Sequence, residues 1–191
     1  MKFARSLGAL MVVALVLSCA QPPKAEADAA RAKVATIQKD VDILTYAPDT
    51  LQQAKDALAR MEKNLSAKKY PEAKAAALQA TSLSDGAKSD VAAAKERVKG
   101  EATTLIAEGK KQLAALLPLV STAKRARPAG LDLAALDKDL LGARSKLADA
   151  DTAFGNGNFA GSRDAAATAK ATFSELEKRI SDAVQKNRAK K

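Results

Sequence analysis

Apolar residues fall three and four apart along nearly the whole chain, and about half of them are alanine: 45 Ala and 22 Leu among 191 residues. The first run reads Ala27, Ala30, Val34, Ile37, Val41, Leu44 and the second Leu51, Ala54, Leu58, Met61, Leu65. A third begins at Ala73, Ala76, Ala80, Leu83, Ala87, Val91, Ala94 and Val98, and continues through Ala102, Leu105, Leu113, Leu116 and Val120. Leu133, Leu136, Leu140, Ala143, Leu147, Ala150 and Phe154 form a fourth; Ala166, Ala169, Phe173, Leu176, Ile180 and Ala183 form a fifth. This period places each set on one face of an α-helix. Strands favour β-branched and aromatic side chains, and aromatics are only 3% here, so the composition argues against a sandwich or barrel. The expected fold class is all-α.

Turn chemistry divides the stripes. Pro48-Asp49 and Pro71-Glu72 each put a proline and an acid at a helix start, where both suit the first turn. Arg127-Pro128-Ala129-Gly130 reads as a loop, and Gly155-Asn156-Gly157-Asn158 as a turn of residues that tolerate left-handed backbone. Gly100 and Gly109 mark bends without ending the third helix. Pro118 predicts a kink or break, because it lacks a backbone donor and crowds the carbonyl four residues back. From Ala73 to Leu117 a straight helix would extend about 65 Å. Lys186 to Lys191 has no apolar partner and is expected to fray.

A shift of 89 residues lays one half of the chain on the other. Leu51 falls on Leu140, Ala54 on Ala143, Leu58 on Leu147, Leu65 on Phe154, Tyr70 on Phe159, Ala80 on Ala169 and Val91 on Ile180. Turn, aromatic and both flanking stripes agree without a gap, which points to an internal repeat. Ala47-Pro48, Ala54, Leu58 and the corner Lys69-Tyr70-Pro71-Glu72-Ala73 resemble the helical domain of unknown function DUF4398 of bacterial envelope proteins. The second copy departs from that pattern at Leu136-Asp137 and at Ser162, which stands where the corner Ala would be. The resemblance implies a helix followed by an Ala/Leu hairpin in each unit.

The N-terminus reads as an address. Lys2 and Arg5 precede Leu7–Leu17, an uncharged and mostly aliphatic stretch too short for a membrane span, which takes about 20 residues, but suited to a signal peptide. The single cysteine follows it in Val16-Leu17-Ser18-Cys19, which resembles the lipobox of bacterial lipoproteins. That resemblance implies lipidation of Cys19, cleavage between Ser18 and Cys19, and acylation of the new amine. Several acyl chains anchor far more firmly than one. Ala20 in place of Asp would favour the outer membrane under the enterobacterial sorting rule.

Catalytic chemistry is hard to find. The absence of His removes imidazole catalysis and His-ligated metals, and one Cys cannot form an intramolecular disulfide. Gly155-x-Gly157-x-x-Ala160 has the letters of a dinucleotide fingerprint but follows a helix where a strand is required. Asp149-x-Asp151 lacks the other ligands of a calcium loop. No catalytic, cofactor or metal site is assigned. Removing Lys2 and Arg5 from the 32 Lys and Arg leaves 30 bases against 22 acids, a net charge of +8. The basic residues concentrate at Lys124, Arg125 and Arg127 and at Lys186, Arg188, Lys190 and Lys191. Too few aromatics accompany them for base stacking, so nucleic acid is not an expected partner; anionic headgroups or cell-wall polymer fit better. A solvated basic surface explains the clusters as well.

The resulting expectation is two elongated tandem three-helix units with Ala-rich packing. The signal peptide would occupy 1–18, an acylated Cys and tether 19–25, the first unit 26–99, a connecting helix and loop 100–130, and the second hairpin with its basic tail 131–191. Function is read as a non-enzymatic, lipid-anchored spacer or interaction scaffold facing the periplasm, with an envelope protein or peptidoglycan as partner. One alternative is a periplasmic binding module or chaperone holding a peptide or hydrophobic ligand in a hairpin groove. Another resembles the murein lipoprotein, with Lys191 joined to peptidoglycan.

Overall fold

The computed structural model describes residues 21–188, which form six helices: α1 (Lys24–Ile37), α2 (Val41–Tyr46), α3 (Pro48–Ser66), α4 (Tyr70–Ala126), α5 (Leu133–Gly155) and α6 (Phe159–Arg188). No strand occurs among the described residues. The fold is an all-α bundle built on one long helix. At 1.5 Å per residue, the 57 residues of α4 extend about 85 Å. Its first half packs with α1, α2 and α3, and its second half with α5 and α6. Ion pairs and side-chain hydrogen bonds give the directions. Glu26 meets Lys74 and Lys33 meets Asp85, so α1 runs parallel to α4. Thr50 bonds Asp90 and Arg60 bonds Gln79, so α3 runs antiparallel. In the second half Lys110 meets Asp151 and Lys124 meets Asp137 across α4 and α5, which are antiparallel. Glu108 with Lys170 and Gln112 with Ser174 set α6 parallel to α4.

The two halves are therefore both up-down-up bundles, and α4 is the last helix of one and the first of the other. Residues 100–126, read from sequence as a connection, carry the buried Ala102, Ile106, Leu116, Val120 and Ala123. The tether is also shorter than expected: Pro23 is buried and the helix starts at Lys24.

Buried positions repeat under the 89-residue shift. Leu51, Ala54 and Met61 lie over Leu140, Ala143 and Ala150; Ala73, Ala77, Ala80, Ser84, Ala87 and Val91 lie over Ser162, Ala166, Ala169, Phe173, Leu176 and Ile180, all of them buried. The hairpin turns repeat bond for bond. Lys68 and Gly157 both have positive φ, 56° and 77°. Lys69 N–H donates to the Asn64 carbonyl and Asn158 N–H to that of Ala153, each closing a Schellman-type cap.

Three expectations need correcting. Val41 and Leu44 are 73% and 50% exposed, while Ile43 is buried. Asp40 accepts hydrogen bonds from the N–H groups of Asp42 and Ile43, and this N-cap starts a new helix whose rotation no longer follows that of α1. Pro118 neither ends nor interrupts the α4 assignment. It lies on the exposed side, and the buried Leu116, Val120 and Ala123 around it hold the helix in the core. Finally, α6 stays helical as far as Arg188 rather than fraying from Lys186.

Candidate functional site

The sequence-derived anchor, Ser18 and Cys19, lies outside the described residues, as do Lys190 and Lys191. The fold places the described residues that follow Cys19. Pro22, Lys24 and Arg31 line a hollow with Leu65 in the last turn of α3, and Glu26 pairs with Lys74, so the N-terminal end of the body sits beside the start of α4. Arg31 grips Glu62 there through two bonds of 2.7 and 3.0 Å, which holds the Glu62 carboxyl below its ordinary pKa. Lys74 does the same to Glu26 through a hydrogen bond at 2.6 Å.

Of the basic clusters, the described residues Lys124, Arg125, Arg127 and Lys186 gather at the opposite pole. Parallel α4 and α6 bring their C-terminal ends together there: Lys186 and Arg179 of α6 line a hollow of about 310 Å³ with the 129–132 loop. Lys124 is paired with Asp137 at 2.6 Å, whereas Arg125 and Arg127 are exposed. Arg127 caps α4 in the left-handed conformation. A cation at this helix end also complements the negative end of the α4 dipole.

A groove that sequence reasoning missed opens between α4 and α5 near the same pole, with a volume of about 510 Å³. Val120 and Leu140 form its floor, and Leu117 and Leu141, 43% and 69% exposed, form its walls. Lys124, Asp137 and Arg144 supply the charge at its edge. The available sequence signal was the second apolar phase, Leu117 and Leu141, each directly following a core position.

Where the units meet, Tyr46 at the end of α2 accepts a hydrogen bond from the Ala160 N–H of α6 at 3.3 Å. Lys95 lies over the Tyr46 ring and Lys99 over Phe159, at 5.3 and 5.7 Å from the ring centres. Arg163 spans to Glu101 at 3.7 Å. These contacts tie the tip of the second hairpin to the first unit.

Among the described residues no cluster of acids or sulfur ligands is disposed to hold a metal, and no helix is long and apolar enough to cross a membrane. No family model, curated protein or solved structure matches the chain.

Proposed function

We propose that this chain is a lipid-anchored spacer and interaction scaffold of the bacterial envelope, acting without catalysis. One observation carries the reading: the segment that follows Cys19 enters the body at one pole, and the basic helix ends lie at the other, about 85 Å away along α4. A single uninterrupted helix, braced by α1, α2 and α3 on one half and by α5 and α6 on the other, is a stiff way to hold one end at a fixed height above a membrane. The lipobox resemblance at Val16-Leu17-Ser18-Cys19 supplies the anchor, and the exposed Arg125 and Arg127 suit an anionic polymer or protein beyond the headgroups.

Fractionation of cells carrying Cys19→Ser tests the anchor: the protein leaves the membrane fraction, and unchanged fractionation overturns the reading. Photo-crosslinkers placed singly at Ala67 and at Arg125 test the polarity. Ala67 is expected to label lipid-proximal components, and Arg125 cell wall or an envelope protein. Identical products at both positions count against a spacer. A binding-module reading has one observation in its favour, the open α4–α5 groove.

A further inference from the structure

We infer that the α4–α5 groove is the docking site for an acidic amphipathic helix of a partner protein. The inference rests on the scaffold reading and names the class of partner. Within the second unit, α6 lies against both α4 and α5, while those two touch one another far less. The side of the α4–α5 pair facing away from α6 is left as the groove, which is where a fourth helix of a bundle would lie.

Comparison of the two units shows that this face is particular to the second. Leu141 corresponds to the exposed polar Gln52 under the 89-residue shift. The arm that carries Leu117, Ser121 and Lys124 also has no counterpart of equal length. Lys33–Asp85 and Gln112–Ser174 are equivalent contacts, so Ile37, the last residue of α1, corresponds to Leu116. The chain then runs 14 residues from Ile37 to Leu51, but 24 from Leu116 to Leu140. The added length extends α4 beyond Leu116 and forms one wall of the groove.

Charge and shape select the occupant. Lys124 and Arg144 stand at the groove against one carboxylate, Asp137, which is already held by Lys124. Among the described residues Arg144 has no ion-pair partner, and between Glu108 and Asp132 the chain contains no acid at all. A second copy offering the same face would set these cations against each other, so a self-complementary dimer is disfavoured. A concave cleft with apolar walls takes the ridge of a helix; a bilayer would be met better by a convex apolar surface. The fitting ligand presents two apolar residues one turn apart, for the space between Leu117 and Leu141, and a carboxylate toward Arg144.

The test uses the chain from residue 20 onward, in solution, with three synthetic peptides. One is a helix with a leucine stripe flanked by Glu, the second has Lys in place of each Glu, and the third is a scrambled Glu peptide. Amide chemical shifts report where each binds. The Glu peptide is expected to perturb residues 117–124 and 137–144, with affinity at least tenfold above both controls. Arg144→Glu should reverse the preference toward the Lys peptide, and Leu141→Gln should abolish binding while leaving the circular dichroism unchanged. Equal binding of Glu and Lys peptides, perturbations elsewhere, or binding only to anionic phosphatidylglycerol vesicles would overturn the proposal. Since the probe carries no lipid anchor, failure here leaves the outcome of the Cys19→Ser fractionation separate.

Discussion

At matched positions the first unit buries Ala47, Ser84 and Ala87 where the second buries Leu136, Phe173 and Leu176, while Ala54, Ala77 and Ala80 of the first meet the same residue type in Ala143, Ala166 and Ala169 of the second. Same topology, same turns, different side-chain volume. Small residues let helix axes approach closely but remove little apolar area from water, at about 25 cal/mol per Å². The first unit therefore depends more on helix propensity and on exposed cross-helix pairs such as Arg31–Glu62 and Lys33–Asp85, which individually contribute little. The second adds the larger side chains of Leu136, Phe173 and Leu176 to a framework that keeps Ala143 and Ala169. At Gly109 the second unit borrows the close approach of the first: a Cβ there would stand 3.0 Å from Leu147 Cδ1, so α4 and α5 cross where one side chain is missing.

The sharpest way to break this contrast is to exchange core volume at one matched position. Phe173 is 1% exposed and its counterpart is the buried Ser84, whose hydroxyl donates to the Ala80 carbonyl. Phe173→Ala is expected to cost about 3–5 kcal/mol, read as a lower denaturant midpoint. A loss below about 1 kcal/mol would show that the second core is not what holds that unit. The reciprocal Ser84→Phe should destabilise by about 1–3 kcal/mol, because closely spaced Ala helices have no room for the ring. A neutral result would mean the first unit is loosely packed.

The turns provide a smaller and cleaner exchange. Gly157 and Lys68 occupy the same left-handed position in the two Schellman-type caps. Lys68→Gly is expected to raise stability by about 0.5–1 kcal/mol, and Gly157→Ala to lower it by about 1 kcal/mol. Thermal melts of both variants check the pair; shifts of the same sign would refute the equivalence of the turns.

The smallest expected effect is pH dependence. Hydrogen bonds from Lys74 and Arg31 lower the carboxyl pKa values of Glu26 and Glu62. A depressed folded-state pKa adds stability that is fully present above the unfolded value and is lost as pH falls through the folded one. The first unit should therefore weaken below about pH 4.5, measured as a falling midpoint in acid titration. Glu26→Gln with Glu62→Gln should flatten that slope. An unchanged slope would assign the acid sensitivity to other carboxylates.

Most of the core could be read in advance because helical periodicity is local. Ala166, Ala169, Phe173, Leu176, Ile180 and Ala183, all six of the fifth stripe, are buried. The failures have local or tertiary causes. Asp40 reset the helix phase, so Ile43 turned inward and Val41 and Leu44 outward. The buried face of α4 runs through Ala102, Ile106 and Gly109, whereas the apolar stripe passes through Leu105 and Gly109 reads as a bend. The groove was not legible, because Leu117 and Leu141 sit on helices whose covered faces are chosen by α6.

By itself the sequence determined the helices, the turn chemistry and the matching of residue 51 to 140 and 70 to 159, all properties of spacing along one chain. Only the tertiary structure decided that α4 belongs to both bundles. Pro118 is helix-compatible here because core contacts on both sides of it outweigh the lost backbone bond. Parallel packing of α4 and α6 then brought Lys186 to the same pole as Lys124, Arg125 and Arg127, far away in sequence, and left the N-terminal end of the body at the other.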